Sequence, residues 1–222
     1  VRPAAPAPRP RRFDAARPLV LAAALAALHP AAHAQAPAAA APGAAASSAA
    51  AGGPAEYTLD AGHTFVHWEV LHMGTSTIRG RFDKLGGSVR FDARRQQVDV
   101  SIAVDTASVS TGLAPFDTIV RGASLLAVQA NPQAWFTARR GQWDGEALRS
   151  LDGEITLRGT SRPLTLRALR FKCGLNPLFG REVCGGDFEG TLRRSDFGMT
   201  LALPLTADEV RVLVQVEGVR AP

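Results

Sequence analysis

Apolar side chains recur at every second position through most of the chain beyond residue 56. In QVDVSIAVD, Val98, Val100, Ile102 and Val104 fall on one face. In EVRVLVQVEG, Val210, Val212, Val214 and Val216 do the same, with Arg211, Gln215 and Glu217 opposite. Shorter stretches place Val89 with Phe91, Ile155 with Leu157, and Leu164 with Leu166 and Ala168. Alternation at period two marks strands with one buried face. LGG, DGE and RGTSRP between them read as turns. One stretch breaks the period: over residues 115–132, PFDTIVRGASLLAVQANP, Ile119, Val120, Leu125, Leu126 and Val128 fit a short helix or two, interrupted near Gly122 and stopped by Pro132. The expected class is all-β, an extended antiparallel barrel of about eight strands with a short helical insertion. Closure removes exposed sheet edges, and a barrel of that size can hold one ligand. A sandwich of long strands would share the alternation.

The first 55 residues have a different texture. Residues 1–17 are rich in Pro and Arg, the run PLVLAAALAAL from Pro18 to Leu28 is uncharged, and Ala32-His33-Ala34 is a small-x-small site. A basic stretch, a short apolar run and such a site describe a secretory signal peptide over residues 1–34, cleaved near Ala34, which implies a periplasmic or secreted protein. The run is too short for the ~20 residues of a spanning helix. Residues 35–55 carry neither charge nor large apolar side chains, so they cannot offset their ordering entropy and read as a flexible linker. Residues 56–222 form the expected folded domain, long enough for one substantial core.

This division changes the meaning of the charge. Five of 25 basic residues and one of 20 acidic residues precede position 35, which leaves 20 against 19, a net charge of +1. A near-neutral domain without a basic stripe interleaved with aromatics does not suggest nucleic-acid binding. The two cysteines, Cys173 and Cys184, most simply pair in a secreted chain, closing the loop CGLNPLFGREVC. Their spacing is wrong for a CxxC motif, and no neighbouring His completes a zinc set.

His63, His67 and His72 crowd into HTFVHWEVLHMG. Read as a strand, this segment holds His63 and His67 on one face about 13 Å apart, at ~3.3 Å per residue, and His72 on the other. Zinc ligands must converge within ~2.0–2.1 Å of the ion, so the strand alone chelates nothing, and carboxylates from a second strand would be needed. No metal or other cofactor is expected. The chain also lacks a G-x-S-x-G elbow, an HExxH helix, a G-x-G-x-x-G turn and a phosphate loop, so no catalytic residue is proposed. A Ser or His paired with a carboxylate inside the barrel would reverse that reading. Val66, Trp68, Val70 and His72 share one face of the histidine strand, and Ile78, Gly80 and Phe82 follow on the next. These faces suit either a filled core or an apolar container.

YTLDAGHTFVHWEVLHMGTSTIRGRFDKLGGSVRFD resembles the opening of the YceI-like proteins, secreted bacterial lipid-binding barrels, through Asp60, His63, Phe65, Trp68, Val70, His72, Gly80 and Phe82. VDTASVSTG, GEITLRGTSRPLTL and VRVLVQVEGVR continue the similarity over residues 56–222. The resemblance implies a lipocalin-like barrel that encloses a polyisoprenoid, an isoprenoid quinone or a similar amphiphile without breaking a bond. It implies a cavity wall of Val66, Trp68, Val70, Ile78, Phe82, Val100, Ile102, Val212 and Val214, with Ile119, Leu125 and Leu126 capping the mouth and His72 among the polar contacts. A homodimer and a transient membrane contact also fit it. Where relatives often carry an RDxHL-like segment, this chain has PFDTIV, with Ile119 at the His position, and SLL at Ser124–Leu126 replaces an aromatic stretch. Recognition of the head group is therefore left open. The Cys173–Cys184 insertion is absent from many members. A hydrolase using the same cavity and a filled, partner-binding barrel are the competing readings.

Overall fold

The computed structural model describes residues 54–222. The expected signal peptide and nearly all of the expected linker lie outside that range. Eleven strands follow one another: β1 (Ala55–Leu59), β2 (Phe65–His72), β3 (Ser76–Phe82), β4 (Leu85–Asp92), β5 (Gln97–Asp105), β6 (Val109–Ser110), β7 (Gln133–Asp144), β8 (Ala147–Leu157), β9 (Thr160–Asn176), β10 (Arg181–Arg193) and β11 (Thr206–Arg220). All pairings are antiparallel. The order β1-β4-β5-β7-β8-β9-β10-β11 closes on itself through β1–β11, giving an eight-stranded barrel, and β2, β3 and β6 extend the sheet from the other stretch of β11.

On the edge away from β10, the long strand β11 thus serves two partners. Its last residues pair with β1 (Leu59↔Gly218 to Tyr57↔Arg220), and its earlier residues pair with β2 (Gln215↔Phe65 to Thr206↔His72). Residues 60–64 bridge the two. Buried Thr64 locks the break: its Oγ1 donates to the Glu217 carbonyl at 3.2 Å and accepts from the Glu217 N–H at 3.2 Å, while the Asp60 N–H donates to the same carbonyl at 2.9 Å. The β-ladder is interrupted here without leaving its polar groups unpaired.

The insertion is a single helix, α1 (Ala114–Arg121), with Pro in its first turn and Gly122 at its end. Residues beyond Gly122 form turns rather than a second helix. Asp117 ties α1 to the chain before it, accepting from the Thr111 N–H at 2.6 Å and its hydroxyl at 2.7 Å. The carboxyl is accordingly held below the usual range, with the Thr111 hydroxyl contact as the largest cause.

Two apolar clusters fill the barrel. The lower one gathers Tyr57, Phe91, Val100, Leu151, Leu166 and Phe188, and the upper one gathers Val109, Val120, Leu126, Leu157, Phe197 and Met199. Ile155 packs against both. Cys173 and Cys184 are bonded across directly paired positions of β9 and β10.

Candidate functional site: two apolar chambers

Each cluster surrounds unfilled space. The upper chamber, about 180 Å³, is walled by Val66, Trp68, Phe82, Leu125, Leu126 and Val212, joined by Phe116 and Val120 from α1 and by Ala134, Leu157 and Met199. The lower one, about 90 Å³, is walled by Val100, Ile102 and Val214, with Phe91, Phe136, Phe171, Phe188 and others. Nine of the residues expected in the wall or cap therefore face a chamber, divided between two. Alternation explains the division: Val212 and Val214 are neighbours on the inner face of β11 and lie on either side of the boundary.

Four expected residues lie elsewhere. Val70 is buried and pairs with Ile78 and with Val210, which lines the upper chamber, but neither Val70 nor Ile78 faces the space itself. His72 is paired with Thr206 and Ser76 at the end of the sheet. Ile119 is 51% exposed, because the chamber face of α1 is set by Phe116 and Val120, one helical turn apart.

Two glycines shape the chambers. A Cβ on Gly80 would lie 2.3 Å from the Trp68 indole, and one on Gly153 would lie 2.5 Å from the Phe136 ring. Each aromatic ring packs against the bare backbone of a neighbouring strand. Only the absence of a side chain permits this, so the rings occupy the wall rather than the space within it.

Polar chemistry is displaced from both chambers. His63 is in the turn before β2, not on the strand, and its Nδ1 lies 2.9 Å from Asp60 Oδ2. Glu217 completes a group whose potential ligand atoms all lie within 4.8 Å of one another. This is the carboxylate-assisted arrangement that the histidine strand alone could not provide, and it lies outside both chambers. The Asp60 contact raises the pKa of His63 and lowers that of Asp60 itself. Ser195 forms a second pair, donating its hydroxyl to Asp208 Oδ2 at 2.7 Å and its N–H to Oδ1 at 2.8 Å. These bonds depress the Asp208 pKa, the hydroxyl contact most strongly. Both bonds come from one residue, so Asp208 braces the turn after β10. Neither Ser195 nor Asp208 lines a chamber.

Sequence reasoning missed Arg194, the one charged residue in the chamber walls. Only 5% exposed, it donates to four main-chain carbonyls: Ala207 from Nε at 2.8 Å, Met199 and Leu201 from Nη1 at 2.7 and 2.8 Å, and Thr206 from Nη2 at 2.8 Å. Burial lowers its pKa. The guanidinium is committed to tying the loop after β10 to the start of β11 beside the upper chamber.

A YceI-like domain model matches residues 57–218. The chain belongs to the YceI-like family. A UPF0312 protein of Pectobacterium carotovorum is 36% identical over 169 residues, covering 75% of this chain and 87% of the relative. Protein YceI of Salmonella arizonae is 34% identical over the same length and coverage. Among solved structures, BcnA of Burkholderia cenocepacia superposes with a TM-score of 0.59 at 19% identity, over 72% of this chain and 98% of BcnA. A polyisoprenoid binding domain from Saccharophagus degradans, implicated in plant cell wall breakdown, gives 0.56 at 18% identity, over 76% and 99%. At these identities the structural likeness establishes the fold, which this YceI-like chain builds around two chambers.

Proposed function

We propose that this YceI-like protein binds an apolar, prenyl-type lipid within its barrel, outside the cytoplasm, and makes or breaks no bond in it. The observation that carries the reading is the pair of stacked chambers, walled almost wholly by aliphatic and aromatic side chains. Burial of apolar surface supplies the affinity, at about 0.8 kcal/mol per CH₂. The polyisoprenoid-binding relative supports the ligand class, and the Cys173–Cys184 bond suits an oxidising compartment such as the periplasm. Both carboxylate pairs with Ser or His lie away from the chambers, which favours binding over hydrolysis.

The sizes constrain the ligand's fit. An apolar cavity of ~150 Å³ holds one benzene-sized molecule. The upper chamber holds little more than that, so a long prenyl chain requires the chambers to join and wall side chains to change rotamer. The test is native mass spectrometry of protein purified from its own periplasm, followed by organic extraction. A stoichiometric prenyl lipid, reduced in an Ala134→Trp variant that fills the upper chamber, is the expected result. A bare chain that takes up neither added prenols nor quinones would overturn the reading and favour a filled barrel.

A further inference from the structure

The β9–β10 hairpin outruns its neighbours. Pairing of β9 with β8 ends at Arg167↔Ser150, and pairing of β10 with β11 ends at Val183↔Val219. The backbone of residues 174–182 consequently pairs with neither flanking strand, and contacts of Arg181 and Glu182 with Arg220 and Tyr57 tether the arm only at its base. The Cys173–Cys184 bond clamps the base of this arm where it leaves the barrel. At the tip, Asn176 Oδ1 accepts from the Leu178 N–H at 2.9 Å, and the Gly180 N–H donates to the Asn176 carbonyl at 2.9 Å, with Gly180 at φ 61°. The turn is thus a built one. It presents Leu178 at 90% exposure and Phe179 at 47%, while Leu175 just behind them is 76% exposed.

Leu175 continues the face of Phe171 and Cys173 past the end of the flanking strands. Phe171 and Cys184 themselves line the lower chamber, so the apolar surface of the arm runs on from that chamber's wall. On the arm's other face the charge is positive. Arg170 there is paired with Asp187, while Glu182, directly across from Leu175 on the apolar face, has its carboxylate taken up by the Tyr57 hydroxyl and by Arg220. Lys172 and Arg181 have no carboxylate partner among the described residues. Arg181 bonds only to the Arg220 carbonyl, at 3.2 Å.

We infer that this arm is a membrane-docking element: Leu175, Leu178 and Phe179 enter the acyl boundary of an anionic bilayer, and Lys172 and Arg181 sit among its phosphate groups. Apolar tips bordered by cations with long stems suit that interface. Docking there sets the lower chamber against the lipid surface. The inference extends the lipid-binding reading to a point of exchange, yet the docking itself does not depend on what the chambers hold.

The test is co-sedimentation of the full protein with vesicles of phosphatidylglycerol and phosphatidylethanolamine, and with vesicles of phosphatidylcholine alone. Binding to the anionic vesicles, weakening with added salt, is expected. Lys172→Glu combined with Arg181→Glu removes two favourable cations, each worth roughly fivefold at such a surface, so affinity should fall by about thirtyfold or more. Leu178→Ser with Phe179→Ser should cost about tenfold or more. All four sites are exposed, and unchanged prenol uptake from detergent solution would show the barrel intact. Wild-type protein that ignores every vesicle overturns the inference, as does binding that survives both variants. A dimer in sedimentation velocity that depends on Leu178 and Phe179, without vesicle binding, would give the arm to a second copy and overturn it too. Vesicle binding by a protein that takes up no prenol would instead sink the lipid-carrier reading and leave the docking arm standing.

Discussion

Arg194 carries a charge into an apolar wall, where its guanidinium donates to four main-chain carbonyls between residues 199 and 207. Arg194→Met keeps much of the volume and removes every one of those bonds. Stranding buried acceptors costs about 1–3 kcal/mol each, partly recovered where water enters. Urea unfolding should therefore show a loss of about 3 kcal/mol, and Arg194→Lys should rescue little because an ammonium cannot span the set. His63 offers a cleaner electrostatic test. Asp60 stabilises the imidazolium, so the ring should titrate above its ordinary 6.5, and Asp60→Asn should bring the midpoint back toward that value in an NMR titration. The associated stabilisation is present below pH 6.5 and fades as pH rises through the folded-state midpoint. An unshifted midpoint in wild-type protein would contradict the contact.

At the level of the element, the disulfide and the strand pattern make different demands. Cutting the Cys173–Cys184 bond frees a loop with a sequence separation of 11. On loop-closure entropy this should cost about 2–3 kcal/mol, read as a lower thermal midpoint in Cys173→Ser/Cys184→Ser, with the barrel still folded. The strands β4, β5, β8, β11 and the first half of β9 were legible because Val, Ile and Leu alternate cleanly there. β7 and β10 were not. In β7 the inner positions include Ala134 and Ala138, and irregularities at Ala138/Arg140 and Gln142/Trp143 shift the phase. In β10 the inner face reads Cys184, Gly186, Phe188, Gly190 and Leu192, so bare backbone hides the period. Arg194 gave no signal at all, since a buried guanidinium satisfied by main-chain carbonyls looks like any surface arginine in a sequence. Ile119 misled because apolar neighbours on so short a helix do not reveal which of them faces inward.

For the whole molecule, closure is what turns faces into a container. An eight-stranded ring leaves room for a ligand only if its inner side chains do not meet, and here the Trp68 and Phe136 rings, packed against Gly80 and Gly153, stay in the walls of two open spaces. The alternation predicted strands with one buried face, which a sandwich would share; edge closure and strand length favoured the ring, and nothing local marked where its interior divides. That boundary depends on which inward residues from distant strands arrive at one level, and no local pattern encodes it.

The ring is not equally strong around its circumference. β1 is a five-residue stave that meets β4 and β11 through three residue pairs each, while every other neighbour in the ring is joined by at least six. Tyr57 latches the stave through its hydroxyl to Glu182, 2.5 Å away, and its ring helps wall the lower chamber. Swinging β1 outward would open a slot along the side of the barrel while the remaining ladders stay zipped. Amide hydrogens of residues 57–59 should then exchange ahead of those in β8 and β10 and do so faster still in Tyr57→Phe. On the proposed lipid-binding reading, such a slot lets a long chain in sideways, as a coin enters a purse.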